Sequence, residues 1–157
     1  MSEEVNENLI KKDKYQVFIL TCFAYFPFNF AKHSWFVLNK KGLVSRYEVK
    51  HFKNKENNKF LYINTQSPFQ GIKITFFVKK HFWKTELLGY IEGEENSTVQ
   101  KMIELIENSE KEYPYCSKYS FFGPNSNTYT LWFLNKFPEF NIKLPWNFIG
   151  KGFKIKE

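Results

Sequence analysis

The chain has 157 residues, a mass of 19.0 kDa, a formal charge of +7 at pH 7 and a pI near 9.3, and 20% of its residues are aromatic, 19 of them phenylalanine. This length suits one domain with a sizeable core rather than two small ones, and the aromatic excess suits a sheet-based core over a helical bundle. Two cysteines, Cys22 and Cys116, are too few for a disulfide framework and are not spaced as metal ligands, so free thiols in a reducing, cytoplasmic setting are expected.

Residues 1–14 are polar and mostly charged, without the basic start, apolar middle and small-residue cleavage site of a signal peptide. They are expected to form a flexible N-terminal segment ahead of a single α+β domain over 15–157. The apolar run 17–26 is too short for a membrane span, which needs about 20 residues, and no transmembrane segment is expected. The run reads instead as part of a first strand over 15–24, apolar enough to lie inside a sheet.

A second strand is expected over 34–38, a tight turn over 39–42 in which Gly42 can take a positive φ, and a third, alternating strand over 44–52. His33 opens this hairpin. The Lys- and Asn-rich stretch 53–59 marks an exposed loop. Further strands are read over 61–63, 72–78 and 87–91. Together these give an antiparallel sheet or half-barrel of about five or six strands.

Ser97-Thr98-Val99-Gln100 has the pattern of a capping box, and Val99, Met102, Ile103 and Ile106 follow at helical spacing, so the first main helix is placed over 98–111 with Pro114 beyond it. The second main helix starts in Gly123-Pro124-Asn125-Ser126-Asn127-Thr128-Tyr129. Asn125 can cap it, and Ser126 falls in its first turn, where unpaired N–H groups and partial positive charge gather. A side-chain oxygen there has two readings, helix cap or nucleophile.

His33 at a strand start and Ser126 at a helix start are the residue types, in the order, that a base and a nucleophile for acyl chemistry require. Cys116, in the Tyr-rich connector 113–119, and Cys22, in the first strand, read as buried structural thiols. His51 and His81 read as surface residues. No His-x-x-x-His, Cys-x-x-Cys, paired carboxylates or phosphate-cradling glycine loop is present, so neither a metal nor a cofactor is expected.

His33-Ser34-Trp35-Phe36-Val37, Arg46-Tyr47-Glu48-Val49, Tyr113-Pro114-Tyr115, the Gly-Pro-Asn-Ser-Asn-Thr segment and Leu144-Pro145 with Ile149-Gly150-Lys151 together resemble an uncharacterised bacterial family of unknown function. More distantly, the layout resembles the circularly permuted NlpC-type papain-like proteins, in which a strand-start His precedes an Asn-Cys helix start. That resemblance implies a permuted papain-like arrangement and a hydrolase or acyl transferase acting on an amide, ester or peptide bond, or a catalytically silent descendant that binds such ligands. Carried over by position, His33 is the base, Ser126 stands where the Cys nucleophile is expected, Glu48 or Ser45 orients His33, and the Asn125 or Asn127 side chain joins helix-start N–H groups in stabilising an oxyanion. The substitution matters chemically, because a serine hydroxyl needs stronger base assistance than a partly ionised thiol.

The alternative is a basic module for nucleic acid or another anionic partner. The net charge favours such partners, and Lys79, Lys80, Trp83 and Lys84 combine ammonium groups with an aromatic ring, which suits phosphate contact and base stacking. A small-molecule, peptide or lipid ligand fits the first reading. The oligomeric state is left open by the sequence.

Overall fold

In the computed structural model, residues 7–77 and 80–156 are described. The elements in chain order are β1 (Tyr15–Phe23), β2 (Lys32–Lys40), β3 (Leu43–Val49), β4 (Leu61–Ile63), β5 (Glu86–Gly93), α1 (Thr98–Glu107), α2 (Ser109–Glu112) and α3 (Ser126–Lys136). The five strands form one sheet in the order β4-β3-β2-β1-β5, antiparallel throughout. The fold is therefore α+β, with two main helices and one short one.

β1 and β2 are apolar on both sides because the sheet is covered on both faces. Val17, Ile19, Phe36 and Leu38 point to one side and meet Met102 and Ile103 of α1 and Tyr129 and Phe133 of α3. Phe18, Leu20, Trp35 and Val37 point to the other and meet Phe69 and Ile72 from the passage between β4 and β5. Phe36 lies edge-on to both Tyr129 and Phe133, with ring centroids 5.1 and 4.9 Å away, so α3 is seated directly on β2. Such edge-to-face pairs add about 0.5–1.5 kcal/mol each beyond the area they bury.

The β2–β3 connection is a two-residue loop, since Lys40 pairs with Leu43. Lys41 and Gly42 both have positive φ, 51° and 95°. That combination gives the primed turn whose twist matches that of the strands. Asn39 Oδ1 accepts from the Gly42 N–H at 2.7 Å and fixes the corner.

Several expectations need correction. No strand forms over 72–77, and Val78 lies outside the described residues; only an isolated bridge joins Lys73 and Phe82. The apolar residues here serve as a cover, with Ile72 buried against the sheet while Phe76 and Phe77 are exposed. β3 stops at Val49 rather than at Phe52. α1 ends at Glu107, because the Asn108 side chain donates to the Glu104 carbonyl at 2.8 Å, a local bond of the kind by which Asn ends a helix. The capping box is not made: Gln100 Oε1 accepts from the N–H of Asn96, one residue before the cap, and Ser97 supplies no side-chain cap.

Of the N-terminal segment expected to be flexible, residues 1–6 lie outside the described residues. Leu9 and Ile10, the apolar pair in that run, pack against the second core, and the Lys11 carbonyl accepts from Asn39 Nδ2 at 2.8 Å. No described helix is long and apolar enough to cross a membrane.

Candidate functional site

Successive side chains on a strand point to opposite faces. On β2 this places His33 with Trp35 and Val37, and Ser34 with Phe36 and Leu38 against α3. On β3 it places Arg46 and Glu48 on the His33 side, and Ser45 with Tyr47 and Val49 on the helix side. Glu48, not Ser45, is therefore the residue within reach of His33.

The contact is made. His33 Nε2 lies 3.1 Å from Glu48 Oε2, and both residues are buried. The same oxygen accepts from Arg46 Nη2 at 2.8 Å, and Lys50 Nζ lies 2.7 Å from the other carboxylate oxygen. Arg46 is fully buried; its guanidinium stacks 4.4 Å over the Trp35 ring and donates to the Ser67 and Gln70 carbonyls.

These contacts set the protonation states. Burial alone would raise the Glu48 carboxyl, but Arg46, the His33 hydrogen bond and Lys50 together hold it well below the usual carboxylate range. Burial lowers His33, with Arg46 and Lys50 adding to the effect and Glu48 opposing it. Two cations already share one carboxylate, so a third positive charge on the imidazole is disfavoured. The neutral imidazole donates from Nε2 to Glu48, which leaves Nδ1 with the lone pair.

α3 begins at Ser126, with Asn125 as its cap. Asn125 Oδ1 accepts from the N–H groups of Asn127 and Thr128 at 3.0 and 3.1 Å. This is the helix-start chemistry expected of Asn. Asn125 Nδ2 donates to the carbonyls of Phe121 and Ile149, and Asn127 Nδ2 to those of Lys32 and Ile149. The amide donors of both residues are thus engaged with backbone. Ser126 enters this network through its carbonyl, which accepts from Ser34 Oγ at 3.2 Å and from Thr130 Oγ1 at 3.3 Å.

His33 and Ser126 line one cavity of about 50 Å3, at the end of the sheet where β2 begins and α3 starts. Lys50, His51, Asn125, Asn127, Tyr119 and Phe121 also border it. No hydrogen bond joins His33 to Ser126 among the described residues. The volume holds a few water-sized groups, so only the reacting end of a larger molecule can enter.

The sequence does not place His51 or Lys50 at this site; Lys50 reads as the start of a basic loop over 50–59 that suits an anionic partner, and His51 as a surface residue. His51 is half-buried, not a surface residue, with its ring 5.3 Å from Tyr25 and 3.9 Å from Phe52, and burial lowers its pKa. Lys50 was legible from alternation, as it follows Arg46 and Glu48 at a spacing of two. His81 is exposed. Burial pushes the thiols of Cys22 and Cys116 up to about 12 and about 11, so neither is an ionised nucleophile near neutral pH.

The basic corner is only partly a free surface. Lys79 lies outside the described residues, and Lys80 and Lys84 are exposed. Trp83 is anchored, since its indole N–H donates to the Ala24 carbonyl at 3.0 Å and its ring packs edge-on against Phe23. Among the described residues no group of three or more His, Cys, Asp or Glu is placed to hold a metal ion.

Fold and site together define an α+β domain with a buried His–Glu pair on the sheet and a serine at the start of the helix packed on it. A family model described as "Protein of unknown function (DUF3750)" matches residues 12–153, and the chain belongs to that family. No curated protein and no solved structure matches the chain.

Proposed function

We propose that this protein is a hydrolase or acyl transferase of permuted papain-like type, with serine as the nucleophile, acting on an amide, ester or peptide bond. The observation that carries the reading is the His33–Glu48 hydrogen bond beside a cavity that Ser126 also lines. The cavity admits the reacting carbonyl while the rest of the substrate stays outside.

In this reading Ser126 Oγ attacks the carbonyl carbon and passes its proton to His33 Nδ1. The imidazolium then protonates the leaving amine or alkoxide, and the acyl-enzyme is resolved by water or by an acceptor amine or alcohol. Glu48 holds the imidazole through Nε2 and stabilises its transient charge. With the Asn125 and Asn127 amides bonded to carbonyls, and the Asn127 and Thr128 N–H groups held by Asn125 Oδ1, oxyanion stabilisation falls to the Ser126 backbone N–H at the start of α3.

Labelling with a fluorophosphonate tests this. Wild type is expected to label at Ser126, Ser126→Ala not at all, and His33→Ala at least about a thousandfold more slowly. A folded wild-type protein that does not label overturns the catalytic reading. The absence of a His33–Ser126 hydrogen bond favours a second reading, in which the cavity binds a carbonyl-bearing ligand without turnover. Lys80 and Lys84 are what supports an anionic partner.

A further inference from the structure

Twelve large hydrophobic residues are exposed among the described residues, and five of them, Phe28, Phe30, Phe52, Phe76 and Phe122, pack against Tyr25, His51 or Phe121 in the wall of the His33–Ser126 cavity. Phe28, Phe30 and Phe122 lie on one side, linked through Phe121, whose ring centroid is 5.1, 6.1 and 5.2 Å from theirs. Phe52 and Phe76 lie on the other, packed against His51. Trp146 is 84% exposed, next to Asn147, whose side chain donates to the Phe30 carbonyl. Soluble surfaces scatter such residues singly, and a contiguous group marks an interaction site.

The charge around this group is one-sided. The segments 24–31, 50–60, 70–77, 80–85 and 113–125 at this end carry eight lysines and one glutamate. Two of the eight are ion-paired, Lys50 with Glu48 and Lys59 with Glu110, and at the opposite end the acids Glu92, Glu95 and Glu107 hold Lys11, Lys41 and Lys40. The basic excess of the chain thus gathers where its exposed rings are.

We propose that this end of the molecule docks on an anionic lipid surface, with the phenylalanines and Trp146 entering the headgroup region and the lysines facing lipid phosphates. Aromatic rings flanked by ammonium groups are the composition that interfacial binding selects. Nucleic acid fits less well, because both faces of the central strands β1 and β2 are covered, which leaves no flat stacking platform on them among the described residues. The inference goes beyond the acyl-transfer reading and stands whether or not Ser126 reacts. It places the cavity mouth against the bilayer.

The test uses the whole chain with vesicles of phosphatidylcholine, with and without phosphatidylglycerol. The protein is expected to sediment with the anionic vesicles, to be released by salt, and to show a blue shift of tryptophan emission that Trp146→Phe abolishes. Phe28→Ser combined with Phe122→Ser is expected to weaken partitioning at least about tenfold, and Lys80→Glu about fivefold or more. Both positions are exposed, so unchanged circular dichroism separates lost binding from lost folding. Three results overturn the proposal: no sedimentation with anionic vesicles, sedimentation indifferent to the Phe and Trp variants, or displacement from vesicles by a single-stranded oligonucleotide. A concentration-dependent dimer that the Phe28 and Phe122 changes dissociate also overturns it, in favour of a second copy of this chain.

Discussion

Ser34 on β2 and Ser126 at the start of α3 are joined by a hydrogen bond of 3.2 Å from the Ser34 hydroxyl to the Ser126 carbonyl, across 92 residues of sequence. Asn127 Oδ1 and Thr130 Oγ1 lie within 3.0 and 2.9 Å of the same hydroxyl. The residue next to His33 therefore fixes where the helix begins, although His33 itself faces the other side of the sheet. Because the hydroxyl is fully buried, Ser34→Ala is expected to destabilise the fold by about 1–3 kcal/mol, read as a lowered urea midpoint at unchanged m-value.

Glu48 is buried with Arg46 and Lys50 on its two oxygens. Removing the negative charge leaves two buried cations without their counter-ion, and breaking a buried pair from one side costs about 3–5 kcal/mol. Glu48→Gln is therefore expected to lower stability by that order, in a denaturation experiment at neutral pH. A change below about 1 kcal/mol, the level of an exposed pair, would show that the node is open to water.

The site also sets a pH dependence. The folded-state pKa of His33 lies below its ordinary value of 6.5. In the window below about 6.5 the unfolded chain thus binds a proton that the folded chain does not, and stability falls as pH drops. The Glu48 carboxyl lies below its ordinary 4.5. Its contribution is complete above about 4.5 and is lost as pH falls toward the folded value, a slope of the same sign. Urea midpoints are expected to stay level from about pH 8 to about pH 6.5 and to fall from there to about pH 4, and His33→Asn is expected to remove the upper part of that fall.

Gly150 has φ of 95°, and a Cβ placed there would come within 2.5 Å of Asn125 Oδ1. Gly150→Ala is expected to cost about 1–2 kcal/mol from the left-handed backbone alone, and more from displacing the α3 cap. The check is a lower thermal midpoint, together with loss of amide-exchange protection in the first turn of α3.

Much of this arrangement is written in local patterns. The alternation along β1 to β3, the positive-φ corner at Gly42 and the Asn125 cap are short-range features, and each appears where the sequence points to it. The link between His33 and Glu48 is nearly local as well: once the two-residue loop at Lys41-Gly42 sets the hairpin register, Glu48 falls diagonal to His33 on the same face. What could not be read this way depends on distant partners. Residues 72–77 have the apolar content of a strand, yet Ile72 is used to cover the sheet and Phe76 to face solvent, a division made by tertiary packing. His51 gave no signal of its own, because its neighbours Tyr25, Phe76 and Tyr119 come from three separate stretches. The engagement of Asn125 and Asn127 with the Ile149 carbonyl depends on the far end of the chain.

The last residue to border the cavity is Ile149 and the first is Ala24. During synthesis, then, the chain carries a sheet and two helices long before it carries a site. Both asparagine amides wait for the Ile149 carbonyl, and the wall shared by His33 and Ser126 is complete only once residue 149 is in place.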